Sequence, residues 1–262
     1  MSEFSLTNPP LICVAARVQF MPVESMASYI PALQEAFRLK GYPHYQELRT
    51  KTWRIDQKSE VGKNVSYEEI PRWSFANIDK TVAIRMDRES VTLFFADYHH
   101  FAVARPFYLE ILEIIEKAIP ALSLVQLQLR YINHIPVKEE EDPSDWVISS
   151  LLGVHVIGDL IRQGSVSETG FVTTEGGSLV VRCASLGKGL TLPPDLLPLD
   201  IKLKCGLRTD YSFLLLDNVH TRKAKTLAFS PESCLQELSD LRQCISIVFQ
   251  EIVTEKAKQS WQ

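Results

Sequence analysis

Apolar and polar residues alternate with period two in several parts of the chain. Residues 125–130 read VQLQLR, with an apolar side chain at every second position. In an extended strand this pattern places the apolar side chains on one face and the polar ones on the other. We predict strands wherever alternation or a short β-branched run is bounded by turn residues. These strands cover residues 11–20, 50–56, 72–77, 81–86, 91–98, 123–135, 165–174, 178–185 and 201–217.

Three other segments repeat their apolar residues at helical spacing. A helix over residues 25–40 is closed by Gly41, and a second helix is opened by Arg105-Pro106 and stopped by Pro120. The longest helix is predicted over residues 231–256, with one continuous apolar stripe. Glycine after the last turn and proline at either end are typical helix boundaries. The apolar stripe of the last helix packs on the chain's own sheet or seals a complex with a second chain.

Helices separated by several consecutive strands, without regular βα alternation, predict an α+β fold. We expect mainly antiparallel sheets packed against a few helices. The run KEEEDP at residues 138–143 is the best candidate for a boundary, because like charges ending in proline cannot continue a core strand. It separates an N-terminal α+β half, residues 1–137, from a C-terminal α+β half, residues 138–262. Two similar halves and a single domain are both compatible with this pattern.

Composition and charge restrict the class of protein further. The net charge of −4 and the pI of about 5.9 disfavour a dedicated DNA-binding protein, which needs a basic excess. The five cysteines are scattered and form no CxxC pair, so we interpret them as reduced thiols. The N-terminus lacks the features of a signal peptide, and no stretch approaches the roughly 20 apolar residues of a membrane helix. We therefore expect a cytoplasmic protein.

Four short motifs carry a resemblance to a known family. They are Asn8-Pro9-Pro10-Leu11 before the first strand, Trp73-Ser74-Phe75, Arg130-Tyr131-Ile132-Asn133, and Phe249 with Ile252-Val253-Thr254. The chain resembles a sporadically distributed prokaryotic protein family whose function is not established. The resemblance implies no catalytic residues. The patchy distribution of that family is similar to that of defence or mobile-element genes, and the resemblance to defence genes implies an accessory or regulatory role linked to prokaryotic antiviral defence.

The strand over residues 123–135 carries the first candidate binding site. Arg130, Asn133 and His134 supply a cation, an amide and an imidazole, which are groups that bind an anion or a partner's carboxylate. The alternative is structural: Arg130 pairs with an acid of the same chain, and Asn133 supports the turn before Pro136. No nucleophile or second base lies nearby in sequence, which favours the structural alternative.

A basic strand face in the second half is the second candidate site. It consists of Arg182, Lys202, Lys204 and Arg208, the last three of which alternate with apolar residues. Such a face within an acidic protein is suited to RNA, a nucleotide or an acidic protein. Glu168 and Glu175, in the predicted hairpin, are candidate acids of the same chain. Pairing with them would make the basic face structural.

Motifs for catalysis are absent from the sequence. His99 and His100 are adjacent, so on a strand they point to opposite sides, and no further ligand follows at metal-binding spacing. Gly187-Lys188-Gly189 lacks the spacing of a phosphate-binding loop. We therefore expect no catalytic residues, no cofactor and no metal.

The predicted function is non-catalytic binding of another macromolecule, with another protein as the favoured partner in a hetero-complex. RNA, a nucleotide and a second copy of the chain are further candidate partners. The alternative function is a nucleotide- or nucleic-acid-binding sensor or enzyme that uses the basic strand face.

Overall fold

In a computed structural model, the structure describes residues 6–56, 64–154, 163–186, 192–203 and 212–262. These residues form one nine-stranded sheet and four α-helices. All pairs of neighbouring strands are antiparallel where their register is described. The predicted α+β fold is confirmed.

Among the described residues, six strands and two α-helices precede residue 138, and three strands and two α-helices follow it. The strands are β1 (Leu11–Phe20), β2 (His44–Asp56), β3 (Asn64–Ala76), β4 (Val82–Asp87), β5 (Ser90–Phe95), β6 (Leu124–Val137), β7 (Gly164–Val172), β8 (Ser178–Leu186) and β9 (Ser212–Lys223). The helices are α1 (Met26–Leu39), α2 (Phe101–Ala118), α3 (Pro231–Ile252) and α4 (Glu255–Ser260). The strand order in the sheet is β2-β3-β4-β5-β1-β6-β9-β8-β7.

The centre of the sheet joins the two predicted halves of the chain. β1 lies between β5 and β6, and β6 pairs in turn with β9. The ladder between β6 and β9 extends from Gln126 opposite Lys223 to Val137 opposite Ser212. Because β6 precedes residue 138 and β9 follows it, strands of both halves belong to one sheet. Whether residues 1–137 and 138–262 fold as separate units stays a prediction.

One face of the sheet is covered by α1, α2 and α3. The alternating apolar residues of β6, including Leu127 and Leu129, face these helices and are fully buried. The stripe of α3 packs into the same core through Leu235, Leu238 and Leu241. The apolar stripe of this helix is therefore used by the chain's own sheet.

The opposite face of the sheet is only partly covered. Leu192, Leu196 and Ile201 pack against apolar residues of this face, so residues 192–203 lie across it. Elsewhere on this face, the described strands carry polar and charged side chains, among them Arg17, Thr92 and Gln128. A third cluster of buried residues lies beside α4, where the rings of Trp146 and Trp261 stack with their centroids 5.9 Å apart.

Several predicted boundaries differ from the structure. β2 begins at His44 instead of residue 50, β3 begins at Asn64 instead of residue 72, and α3 ends at Ile252 instead of residue 256. α2 begins at Phe101 rather than after Pro106, because the His100 side chain caps it by accepting a hydrogen bond from the Ala102 N–H. The strand predicted from residue 201 is wrong at its start, since residues 201–203 have no strand structure, and the described part of β9 covers Ser212–Lys223. Ile201–Leu203 precede it without strand structure, and the Lys202 N–H bonds to the Lys80 carbonyl. No described helix combines the length and the apolar character needed to cross a membrane.

Candidate functional site

Arg130 lies on the face of the sheet away from the helices, where it is buried. Its guanidinium forms a two-pronged ion pair with Asp217 of β9, at 2.7 Å from Nε to Oδ1 and 2.6 Å from Nη2 to Oδ2. A further contact joins it to Asp195, from the segment that crosses this face. Arg130 thus pairs with acids of its own chain, as the structural alternative expects.

The other two residues of the first candidate site do not form a cluster with Arg130. His134 packs against the Phe213 ring, with centroids 4.8 Å apart, and burial lowers its pKa below the ordinary imidazole value. Asn133 is buried on the helix-covered side, where it lines a pocket. The strand alternation separates Asn133 from Arg130 because the two positions differ by an odd number.

The predicted basic strand face is not assembled within the described residues. Arg182 is held by Glu168, at 2.8 Å from Nε to Oε2, and by Asp217, at 2.8 Å from Nη1 to Oδ2. Lys202 is exposed and lies before β9. Lys204 and Arg208 are outside the described residues, as is Gly187-Lys188-Gly189.

Two further cations of the second half, Arg222 and Lys225, also form ion pairs with acids of the chain. Arg222 is buried and pairs with Glu175, Glu237 and Asp240. Lys225 shares two of these acids, with Nζ 3.0 Å from the Glu175 carboxylate. Both acids of the hairpin, Glu168 and Glu175, therefore neutralise cations of neighbouring strands, which matches the structural alternative for this region.

A pocket opens on the helix-covered side, and Asn133 is the one described residue of the two predicted sites that lines it. Its volume is about 120 Å³, and it lies among the residues before β1, the start of α2, the strands β6 and β9, and α3. Apolar side chains form most of the wall, including Leu11, Phe101, Ile245 and Phe249. Three of the four motifs that carry the family resemblance contribute to the wall, through Pro9, Tyr131 and Phe249 among others.

Asn218 is the unusual residue of this pocket. It lies on β9, between Tyr131 of β6 and Val181 of β8, and its exposed fraction is 0%. Neither the Oδ1 nor the Nδ2 atom of its amide has a hydrogen-bond partner. An unpaired buried polar group costs about 1–3 kcal/mol in folding stability. The native fold therefore retains a destabilising group in the wall of the pocket.

Two tyrosines and a cation complete the polar part of the pocket. The hydroxyl oxygens of Tyr98 and Tyr131 lie 2.9 Å apart and form a hydrogen bond. Burial raises the pKa of Tyr98 and raises that of Tyr131 to about 12, so both phenols stay protonated at neutral pH. The Arg242 guanidinium carbon lies 5.9 Å from the centre of the Phe101 ring, at the side of α3.

The pocket wall combines apolar contacts with several hydrogen-bonding groups. A carboxamide offers a hydrogen-bond donor and an acceptor side by side, and the phenols of Tyr98 and Tyr131 and the imidazoles of His99 and His100 lie in the same wall. Within the described parts of the chain, no three His, Cys, Asp or Glu side chains are grouped closely enough to hold a metal ion. The sequence signal for the pocket was the pair Asp217-Asn218 inside the otherwise apolar strand LLLDNV.

No protein-family model matches the chain, and no curated protein or solved structure is significantly similar to it. Function is therefore inferred from the geometry of the chain itself.

Proposed function

We propose that the protein is a non-catalytic binding protein that recognises a partner protein through the pocket lined by Asn218. The partner inserts one apolar side chain, and the pocket wall rearranges on binding so that a peptide group of the partner reaches the Asn218 amide, which is closed to solvent in the free protein. The observation that supports this most is the buried amide without a partner, since native proteins satisfy nearly all of their buried polar groups. A ligand that supplies the missing hydrogen bonds gains an interaction that no group of the free protein makes.

The volume of the pocket supports a side chain as its occupant. A dry cavity of about 150 Å³ in another protein holds a single benzene ring. The pocket here, at about 120 Å³, matches one large aliphatic or aromatic side chain and is too small for a whole nucleotide. Protein interfaces concentrate their binding energy in a few such anchors, seated in desolvated pockets.

The Asn218 carboxamide determines which hydrogen-bonding groups we expect in the occupant. A peptide group carries one N–H and one C=O, which is the complement of the Asn218 carboxamide. The mouth of the pocket is more polar, with the His99 side chain 70% exposed beside Asp97. An apolar interior with a polar rim is the usual composition of a protein–protein contact.

Selection from a random peptide display library tests this function without a known partner. We expect enriched peptides to share one large apolar residue and to bind the wild-type protein. Ser246→Phe places a ring in the pocket from α3 and should weaken that binding by about tenfold or more, or about 1.4 kcal/mol. The matched control is Gln243→Phe, on the same helix at an exposed position outside the pocket wall.

Two results would overturn the proposed function. One is a library that yields no enriched peptide. The other is a set of enriched peptides that bind Ser246→Phe as tightly as the wild-type protein. Thermal unfolding of both variants checks that the substitutions leave the fold intact.

A further inference from the structure

A row of polar side chains crosses the face of the sheet opposite α1, α2 and α3. Arg85 of β4 is directly opposite Thr92 of β5, Thr92 is opposite Arg17 of β1, and Arg17 is opposite Gln128 of β6. Directly paired residues project to the same side of a sheet. Arg72 of β3 and Arg130 of β6 border the same cavity, whose volume is about 250 Å³.

Two of the four arginines around this cavity are neutralised by acids of β9 and of the segment that crosses the face. Arg130 pairs with Asp217 and Asp195. Arg85 pairs with Asp200, at 2.7 Å from Nη2 to Oδ2. These contacts hold residues 192–203 against the sheet and account for two of the positive charges.

The other two arginines, Arg17 and Arg72, have no such partner among the described residues. The Nε atom of each is buried and makes no hydrogen bond. Of the two described acids in the wall, Asp195 pairs with Arg130, and the Asp87 Oδ1 atom accepts bonds from the Glu89 N–H, at 2.9 Å, and the Ser90 hydroxyl, at 3.0 Å. Asp87, Asp195, Asp200 and Asp217 equal the four arginines in number, so the distinguishing feature of the cavity is that Arg17 and Arg72 have no ion-pair partner among the described residues.

We propose that this cavity binds the phosphate group of a small phosphorylated molecule. Guanidinium groups present planar, paired donors that match phosphate oxygens, and Arg17 and Arg72 have no ion-pair partner among the described residues. The hydroxyl of Thr92 and the amide of Gln128, in the same wall, supply further polar contacts. At about 250 Å³ the cavity has room for a phosphate and part of the group that carries it. This site is independent of the Asn218 pocket, which lies on the other face of the sheet.

Asp195 has a distinct role at this site. Its side chain is 67% exposed, it lines the cavity, and it contacts the outer edge of Arg130. Its carboxylate repels an incoming phosphate and competes with it for Arg130. Removing the charge of Asp195 should therefore raise the affinity for phosphate, whereas removing the charges of Arg17 and Arg72 should lower it.

Isothermal titration with ribose 5-phosphate, inorganic phosphate and ribose tests the proposal. We expect the wild-type protein to bind the two phosphates and not ribose. Tighter binding of the ester assigns the site to a phosphorylated metabolite, and equal binding assigns it to free phosphate. The double variant Arg17→Gln/Arg72→Gln should lose about tenfold or more in affinity.

Two further variants test whether a loss of affinity comes from Arg17 and Arg72 themselves or from a general change in charge or folding. Arg38→Gln/Arg105→Gln removes the same charge from exposed positions on α1 and α2 and should leave the affinity unchanged. Asp195→Asn should bind several-fold more tightly, a gain that a misfolded protein does not give. The proposal is overturned if neither phosphate binds, or if the Arg17/Arg72 variant binds as tightly as the control.

Discussion

Asn218 has a cost in folding stability that the proposed binding function would explain. Its amide is fully buried and has no hydrogen-bond partner, although the strands on both sides of β9 supply apolar neighbours. If the amide served only the fold, an apolar residue of similar length would serve it better. Destabilising groups of this kind are expected where activity requires them.

We therefore predict that Asn218→Leu stabilises the protein and abolishes peptide binding. The gain in the free energy of unfolding should be about 1–3 kcal/mol, because the unpaired polar group is replaced by a side chain that enters the apolar pocket. Urea unfolding at equilibrium measures the gain, and the peptides selected on the wild-type protein measure the loss of binding.

The matched control is the same substitution at Asn77, where the amide is satisfied. The Asn77 Oδ1 atom accepts bonds from the Thr81 N–H at 2.8 Å and the Val82 N–H at 3.0 Å, and its Nδ2 donates to the Thr81 hydroxyl. Asn77→Leu should lower the free energy of unfolding. A loss of stability at both positions would show that Asn218 is a structural residue.

At the scale of elements, β6 and β9 are joined by a buried charge pair as well as by their backbone ladder. Asp217 is 1% exposed and is held by Arg130 on one side and by Arg182 on the other. The side chain of Arg182 is 34% exposed, whereas that of Arg130 is 5% exposed. The two arginines should therefore contribute unequally to stability.

Arg130→Ala is predicted to lower the free energy of unfolding by about 3–5 kcal/mol, since it removes the main partner of a buried carboxylate. Arg182→Ala should cost clearly less, because Arg130 still holds both carboxylate oxygens of Asp217. Urea unfolding measures the free energy of unfolding of these two variants and of the double variant Arg130→Met/Asp217→Leu. The double variant should recover most of the loss, and equal costs for the two single variants would refute this account.

The elements were predictable where local periodicity coincided with burial. β6 follows its alternating sequence, and the stripe of α3 lies in the core as its spacing indicates. The start of β9 was missed because residues 201–203 continue the same alternation of apolar and basic side chains without pairing to a strand. Periodicity reports which side chains share a face, but strand structure also needs a neighbouring strand for its hydrogen bonds.

At the scale of the whole molecule, the candidate sites depend on pairings that no local pattern contains. The α+β class followed from the order of elements, but the insertion of β1 between β5 and β6 did not. That insertion brings Arg17 next to the cavity shared with Arg72, and it brings the residues before β1 to the Asn218 pocket. Arg130 and Asp217 were each visible as polar residues in apolar strands, whereas their contact required the register of β6 against β9.

The shared sheet leads to a prediction about the two halves of the chain. Trp73 is buried in the core under the helices, to which α3 of the second half also contributes, and Trp261 is buried beside Trp146 at the far end of the second half. Because the β6–β9 ladder crosses the predicted boundary, we expect residues 1–137 and 138–262 to unfold together. Two variants that retain only Trp73 or only Trp261, with phenylalanine at the other tryptophans, report on the halves separately by fluorescence. Their urea midpoints should coincide with each other and with the loss of helical circular dichroism. An earlier transition at one tryptophan would instead support two folding units separated near residue 138.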